Sequence, residues 1–486
     1  MAIKHIIGAT FLLALAASAS AAVPLKIYKD DQPGDTVYKS TYYFVGITDP
    51  KAKASVVGND CHVYRTGSFG AEIKLAEGDN YIPVRVSLGE ESADSTVRIV
   101  YVSRPKSAPS KPDATVPLQW PLHLVTKSGA YLQYGNGSDR LGGSKMGFLD
   151  PDVELTAIGE TSGLYKVMLG DNGYAFVPKE YVERGGEGAR AANSGSAVIT
   201  NTGNSDRFSI SLPYRMPYWS RAEIDPSTIT ISLYGAMNNT NWFTRRGELG
   251  MVDFVDLRQQ PGGVLDIVIR LKDKYQWGYS VGYEGDRLVV NVKHRPASLA
   301  LKDLVIGLDA GHGGAYPGAC SPSGLTEKEV NLDIVLNVAE MLRAKGARLV
   351  LTRDGDTDPS MAERKKIWRE GGVDLAVSVH NNSSGNPLKP MGTSSYYKHI
   401  SNMPLASALH SSMLELGLTD FGLTGNFNFS LNAPTEYPNA LVEVLFMSSL
   451  PEEELLADPA YRRKLAVQIV RGIENYLAEV KKSLAK

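Results

Sequence analysis

The 486-residue sequence is poor in cysteine, with only Cys61 and Cys320. These two residues fall in segments that we assign to different domains, so a disulfide framework is excluded and a single bridge is not expected. The sequence also lacks an excess of charge of one sign, because 51 Lys and Arg residues face 53 Asp and Glu residues. The resulting formal net charge of −2 gives no support for nucleic-acid binding, and we predict no nucleic-acid partner.

Long apolar runs are lacking beyond the N-terminus. The run Ile6 to Ala17 covers about 12 residues, which is too short to cross a bilayer. Lys4 precedes this run and Ala19-Ser-Ala21 follows it, an arrangement typical of a signal peptide and its cleavage site. We therefore predict a signal peptide over residues 1–21, export to the periplasm or cell envelope, and no transmembrane segment.

Short alternating apolar runs separated by Gly, Asp and Asn turns fill the chain up to residue 296 and predict all-β domains. Two linkers divide this region, a Pro/Ser/Lys-rich one over 104–116 and a flexible Gly-rich one over 185–195. Three modules follow from these boundaries: residues 22–103 are similar to immunoglobulin-like domains, residues 117–184 resemble bacterial SH3-like domains, and residues 196–296 resemble AMIN-type domains. The SH3-like resemblance depends on Gly173-Tyr-Ala-Phe-Val-Pro178.

Three aromatic residues in the last of these modules, Trp277, Tyr279 and Tyr283, have two interpretations. They could stack on sugars, or they could form a half-buried cross-strand ladder. The alternation of the surrounding strands favours the ladder.

Four short stretches of the C-terminal third carry polar residues where apolar strands end or helices begin: LVIGLDAGHGG (304–314), GLTEKEVNL (324–332), DLAVSVHNN (374–382) and ALVEVLF (440–446). His312 follows the first apolar run in a glycine-rich turn, and His380 closes another apolar strand. Glycine in such a turn allows the backbone to approach a ligand closely.

Two glutamates accompany these histidines. Thr326 and Glu329 have the spacing of a capping box, which predicts that Glu327 lies exposed in the first turn of a helix. Glu443 interrupts an apolar strand, where an unpaired carboxylate would cost several kcal/mol, so it needs a partner. Two histidines and one carboxylate at one edge of an α/β sheet match a catalytic zinc site, and a second glutamate can take the proton of a zinc-bound water.

Residues 302–482 resemble the catalytic domain of zinc-dependent N-acetylmuramoyl-L-alanine amidases of the amidase-3 type. The resemblance runs in order through DAGHGG, TEKEVNL, LVLTRDGD, AERKKIW, SVHNN, GTSSYY and LVEVLFMSS. It implies that His312, Glu327 and His380 bind Zn²⁺ and that Glu443 is the catalytic acid/base. It assigns no role to Cys320, and Leu445 and Ser449 stand where the family often has Gly and Asn.

Asp309 and Asn382 flank the implied ligands and could orient them, although ordinary turn hydrogen bonding is the interpretation that we favour for both. Alternating strand and helix signals predict that residues 302–486 form an α/β domain with an open, mainly parallel sheet and helices on both faces. The predicted fold is thus multidomain, with small all-β modules followed by this domain.

The predicted function is hydrolysis of the amide bond between the lactyl group of N-acetylmuramic acid and L-alanine of the peptidoglycan stem peptide. Three alternatives remain open: a zinc peptidase acting on another wall-peptide bond, a metal-independent glycosidase using Asp309 and Glu443, and a non-catalytic wall-binding protein. Peptidoglycan is the predicted partner, and the N-terminal modules could also bind envelope proteins.

The chain between His380 and Glu443 leaves no segment for an additional helix that could cover the site. We therefore expect an uncovered active site.

Overall fold

The computed structural model describes residues 23–28, 36–103 and 113–485. The predicted signal peptide and most of the first linker lie outside the described residues. The prediction of all-β regions followed by a C-terminal α/β region is confirmed in outline.

The first domain is built from two β-sheets. Its three-stranded sheet has the order β1-β3-β6 and its five-stranded sheet has the order β2-β8-β7-β4-β5. Alternate residues of β7, Ile82, Val84 and Val86, are buried between the sheets, as expected for strands with one face in a core. The strands are β1 Lys26–Tyr28, β2 Thr36–Val37, β3 Thr41–Ile47, β4 Lys53–Val56, β5 Asn59–Cys61, β6 Ser68–Lys74, β7 Gly78–Leu88 and β8 Glu91–Tyr101.

The second and third β regions share one continuous apolar core, which runs from Leu124 to Val292. The second region is a seven-stranded sheet of order β11-β10-β14-β13-β12-β9-β15. Its strands are β9 Val116–Thr126, β10 Tyr131–Gln133, β11 Lys145–Phe148, β12 Glu154–Glu160, β13 Leu164–Leu169, β14 Gly173–Pro178 and β15 Val182–Arg184.

The third region packs a five-stranded sheet, β22-β17-β18-β26-β25, against a four-stranded sheet, β19-β20-β24-β23, with a small β16-β21 pair beside them. Its strands are β16 Ala192–Asn193, β17 Ala197–Asn201, β18 Ser205–Ser211, β19 Tyr218–Ile224, β20 Ser227–Tyr234, β21 Ala236–Met237, β22 Phe243–Arg246, β23 Val252–Gln260, β24 Val264–Leu271, β25 Tyr279–Glu284 and β26 Arg287–Lys293.

The segment 185–195, which we expected to be a flexible tether, is held in place by specific contacts. Arg190 forms a salt bridge with Glu154 at 3.0 Å, and its guanidinium lies 4.1 Å from the centre of the Tyr214 ring. Gly188 packs so closely on His123 that a Cβ there would come within 2.5 Å of the imidazole. These contacts hold the segment against its neighbours, and its assignment as a linker stays a prediction.

The C-terminal domain has a six-stranded sheet of order β28-β27-β29-β32-β30-β31. Strands β28, β27, β29 and β32 pair in parallel, while β30 runs antiparallel to β32. The strands are β27 Val305–Ala310, β28 Arg348–Leu351, β29 Leu375–Asn382, β30 Thr393–Tyr396, β31 Asp420–Thr424 and β32 Asn439–Phe446. The helices are α1 Glu327–Ala344, α2 Met361–Glu370, α3 Met403–Leu414, α4 Leu450–Ala457 and α5 Pro459–Leu484.

Helices of this domain pack on both faces of the sheet. Leu375 and Val377 of β29 lie in the larger core with residues of α1, α3 and α5, whereas Ala376 lies in a separate cluster with Trp368 of α2. Successive strand residues point to opposite faces, so the two clusters are on opposite sides. Among the described helices, none is both long and apolar enough to cross a membrane.

The third β region is fixed to the C-terminal domain through a buried tryptophan. Trp277 is 1% exposed and belongs to the apolar core of the C-terminal domain, where its ring lies 6.3 Å from that of Tyr476. Tyr279 is also buried, and its backbone N–H donates to the carbonyl of Thr435 at 2.8 Å. Both residues are therefore unavailable to stack on sugars, and Trp277 is more deeply buried than a half-exposed ladder would allow.

Candidate metal-binding active site

His312 lies just beyond β27 in a backbone conformation that few side chains adopt. Its φ is 61°, and the following Gly313 and Gly314 also have positive φ values of 142° and 51°. Gly311 is required by packing, because a Cβ there would lie 2.2 Å from the imidazole of His380. The glycine turn thus places the two histidines side by side, with ring centres 5.0 Å apart.

Glu327 lies at the start of α1 but is only 4% exposed, so the prediction of an exposed carboxylate was wrong. The predicted capping box also does not form, because the Thr326 hydroxyl donates to the Glu329 carboxylate at 2.6 Å and caps no backbone N–H. The loop before the helix folds over Glu327, whose carboxylate accepts backbone N–H groups from Ala319 at 2.9 Å and Asn381 at 3.1 Å.

The Glu327 carboxylate lies between the two imidazoles. Its Oε2 is 3.2 Å from Nε2 of His312, and its Oε1 is 3.0 Å from Nδ1 of His380. Nitrogen and oxygen atoms of these three side chains that could bind a metal ion all lie within 4.8 Å of one another. A third of the His312 side chain (34%) is exposed, so the cluster can be reached from solvent.

The three side chains of this cluster influence one another's charge. Burial acts to raise the pKa of Glu327, but hydrogen bonds with His312 and His380 outweigh it and hold the pKa well below its usual range. Burial acts to lower the pKa of His380, yet the Glu327 carboxylate raises it to about 9. The carboxylate therefore attracts positive charge to this spot, and a metal ion would compete with protons for the same atoms.

Glu443 faces this cluster from the neighbouring strand. It is the register partner of His380 in the β29–β32 pair and is 8% exposed. Burial raises the pKa of Glu443 to about 7, with His380 lowering it and Glu327 raising it. Among the described residues, no group hydrogen-bonds to its buried Oε2. A carboxyl group with this pKa can accept and release a proton near neutral pH.

The hydrogen-bond partners of Asp309 are residues other than the two histidines. It is fully buried and forms a 2.7 Å ion pair with Arg364, with a further 2.6 Å hydrogen bond from the Ser378 hydroxyl. Arg364 in turn donates to the backbone carbonyl of His312 at 2.9 Å, so Asp309 supports the histidine turn indirectly. Asn382 accepts from the N–H of Ser383 at 2.7 Å, an ordinary loop hydrogen bond.

Sequence reasoning missed the residues that hold Glu327 and the glycine turn. Asn331 donates to Glu327 Oε1 and to the carbonyl of Gly311, both at 3.2 Å. Arg353 also donates to the Gly311 carbonyl, at 3.0 Å. A signal existed for Arg364, because it lies four residues before the buried Trp368 and so on the same helix face.

The Asp309–Arg364 pair gives a prediction for stability. Arg364→Ala should destabilise the chain by about 3–5 kcal/mol, since it leaves a buried carboxylate without its counter-ion. Lys366→Ala on the same helix is the matched control, because Lys366 is exposed and its 3.7 Å contact with Glu370 contributes about 0.3–0.5 kcal/mol. Chemical unfolding of both variants measures the difference, and equal midpoints would contradict the structural role assigned to Arg364.

Two imidazoles and a carboxylate beside a separate buried carboxyl are a set of side chains typical of metal-dependent hydrolases. The comparisons with known proteins identify the family. Residues 306–475, which contain the cluster and Glu443, match the family model described as N-acetylmuramoyl-L-alanine amidase.

The chain is 31% identical over 205 residues to the germination-specific N-acetylmuramoyl-L-alanine amidase of Bacillus subtilis, with 39% of this chain and 86% of that protein covered. It is 29% identical over 221 residues to the N-acetylmuramoyl-L-alanine amidase AmiA of Escherichia coli, covering 35% and 75% of the two chains. Among solved structures, the amidase AmiC2 of Nostoc punctiforme is 32% identical with a TM-score of 0.35, covering 36% of this chain and 97% of that one.

The chain therefore belongs to the N-acetylmuramoyl-L-alanine amidase family, and it is a peptidoglycan amidase. The Cys320 side chain is not part of the cluster, and no disulfide joins it to Cys61 in the described part of the chain. The immunoglobulin-like, SH3-like and AMIN-like assignments and their boundaries stay predictions.

Proposed function

We propose that this chain is an exported, zinc-dependent amidase that hydrolyses the bond between the lactyl group of N-acetylmuramic acid and L-alanine of the stem peptide. The observation that carries the proposal is the juxtaposition of the His312, Glu327 and His380 cluster with the unpaired carboxyl of Glu443. An open, mainly parallel sheet with the site at the strand carboxyl ends is the fold we propose for this domain, supported by the β27, β29 and β32 pairing.

The donor set fits zinc. Two imidazole nitrogens and one carboxylate oxygen are a ligand set that zinc uses in catalytic sites, where the fourth position stays open for water. The chemistry supplied by bound zinc is polarisation of the scissile carbonyl and a lowering of the pKa of water to about 7. Asn331 and the N–H groups of Ala319 and Asn381 orient the Glu327 carboxylate, and oriented ligands bind a metal more tightly.

Glu443 is suited to proton transfer and is not needed as a fourth ligand. Its buried Oε2 can accept the proton of the attacking water and then donate it to the departing amine of L-alanine. The same transfer would be poor for a carboxyl at its ordinary pKa, because the protonated form would be rare near neutral pH.

The function is tested by incubating the purified chain with soluble muropeptides and identifying the new ends by mass spectrometry. We expect free peptides with an L-alanine amino terminus and an intact lactyl carboxylate on the glycan. A new end within the peptide would identify a zinc peptidase, and a new reducing sugar a glycosidase. Retention on sacculi without any product would identify a wall-binding protein.

Removal of the metal gives a further prediction. Treatment with a chelator should abolish turnover, because the polarised carbonyl and activated water are then lost, and added Zn²⁺ should restore it. Turnover that survives chelation with no zinc remaining by metal analysis would contradict the zinc mechanism.

The proposed setting is the periplasm or cell envelope, with peptidoglycan as substrate. The N-terminal modules are proposed to bind wall polymer or envelope proteins. The first domain lies against the amidase domain, since the backbone N–H of Arg65 donates to Glu454 at 2.7 Å.

A further inference from the structure

A turn of the second β region docks on the C-terminal domain near β30, the strand that pairs with β32 at Ser394 and Glu443. Asn428 of the amidase domain donates to the backbone carbonyls of Leu141 at 3.2 Å and Gly143 at 2.9 Å. Lys398 donates to the carbonyl of Lys145 at 2.8 Å. These three bonds bind the main chain of residues 141–145, so the position of the turn does not depend on flexible side chains of its own domain.

The turn is also held by hydrogen bonds of its own. The backbones of Asp139 and Gly142 pair with each other, and the Asp139 carboxylate accepts the N–H of Leu141 at 2.7 Å. Gly142 has a φ of 81°, which closes the turn without strain. Arg140 lies at the tip of this turn with its side chain exposed.

The loop that holds this turn packs over the strand next to Glu443, because the ring of Phe427 lies 4.8 Å from that of Tyr396 and Ser394 of the same strand β30 is the register partner of Glu443. Arg140 is close enough to Glu443 for the two charges to interact. Its positive charge acts to lower the pKa of that carboxyl, against the larger effect of burial. No hydrogen bond or salt bridge involves the Arg140 guanidinium in the part of the chain that the structure describes. An arginine without a described hydrogen-bond or ion-pair partner is therefore among the surroundings of a buried carboxyl whose Oε2 is also without a hydrogen-bond partner.

Three lysines extend the positive charge along the same junction. Lys145 lies in the turn region, and Lys365 and Lys398 lie in the amidase domain. Burial lowers the pKa of Lys365 and of Lys398, and the positive charge of Lys145 lowers both further. None of these lysines has a salt bridge to a described acidic residue. We call Arg140 and these three lysines the cationic junction, and its charge is complementary to an anionic ligand.

We propose that Arg140 is a substrate-binding residue of the amidase site, which pairs with a carboxylate of the wall peptide while the adjacent amide lies at the His312, Glu327 and His380 cluster. This inference rests on the proposed function and adds to it a residue from outside the family domain. A guanidinium matches a carboxylate through two parallel hydrogen bonds, and stem peptides carry carboxylates. The cationic junction would extend this recognition along the peptide.

The test uses the full zinc-loaded chain and two soluble muropeptides that differ only in whether their peptide carboxylates are free or amidated. Arg140→Ala should lower kcat/KM on the free-carboxylate substrate by about ten-fold or more, mainly through KM, the scale of a lost charged hydrogen bond. Arg140→Lys should recover part of that loss. On the amidated substrate, wild type and Arg140→Ala should be nearly equal.

Arg184→Ala is the matched control, since Arg184 is an exposed arginine of the same β region on strand β15. Zinc content and thermal midpoint are measured for every variant. Equal loss on both substrates, no loss on either, or a faster Arg140→Ala would overturn the inference, the last by showing that the turn obstructs the site. Wild-type turnover is measured first, because its absence on both substrates would overturn the proposed function itself.

Discussion

His380→Ala should abolish both zinc binding and amidase activity. The substitution removes one of three proposed ligands and leaves the Glu327 carboxylate buried with a single imidazole partner. Loss even of groups that only orient a ligand costs about 10–100-fold in metal affinity, so loss of a ligand should leave far less than one zinc per chain. Metal analysis of the dialysed protein and a muropeptide assay measure the two effects.

The control for this variant is His62→Ala, which removes an exposed histidine of the first domain. It should keep its zinc and its activity. If His380→Ala instead retains one zinc per chain, His380 is not a ligand and the proposed metal site is wrong.

Glu443→Gln should keep zinc and lose activity by about 10²-fold or more, the usual scale of a lost general acid/base. The amide has nearly the shape of the carboxyl it replaces but cannot accept the proton of the attacking water. Because burial already favours the uncharged form of Glu443, the substitution should cost little stability.

Glu452→Gln is the matched control, since burial also raises the pKa of Glu452 to about 7. Its carboxylate accepts the backbone N–H groups of Gly392 and Phe446 and does not belong to the metal cluster. The control should therefore lose stability and retain turnover. Loss of zinc from Glu443→Gln would show that Glu443 is a ligand and that its assigned role is wrong.

The proximity of the site residues could be anticipated from the sequence because parallel strands present their carboxyl ends at one edge of a sheet. The apolar runs before His312 and around Glu443 were sufficient to identify β27 and β32. The burial of Glu327 could not be anticipated, because it results from a loop that folds over the helix start. A local capping pattern contains no information about such a tertiary contact.

The expectation of an uncovered site illustrates a second limit of sequence reasoning. The segment between His380 and Glu443 contains α3, whose buried Leu405 and Leu409 belong to the core shared with α5. The structure instead brings Arg140 near Glu443 from more than 300 residues earlier in the chain. The expectation of an uncovered site considered only the intervening residues and so missed this approach.

The burial of Trp277 bears on the orientation in which the active site meets an insoluble polymer. A catalytic domain joined by a flexible linker to modules that bind a surface can adopt many orientations relative to that surface. Here Trp277 of the third β region is inserted into the core of the C-terminal domain. The active site therefore keeps a constant orientation relative to any surface that the third β region binds. Strands of the wall would then enter from one direction, and cutting the chain before Leu301 would leave a bare apolar patch prone to aggregation.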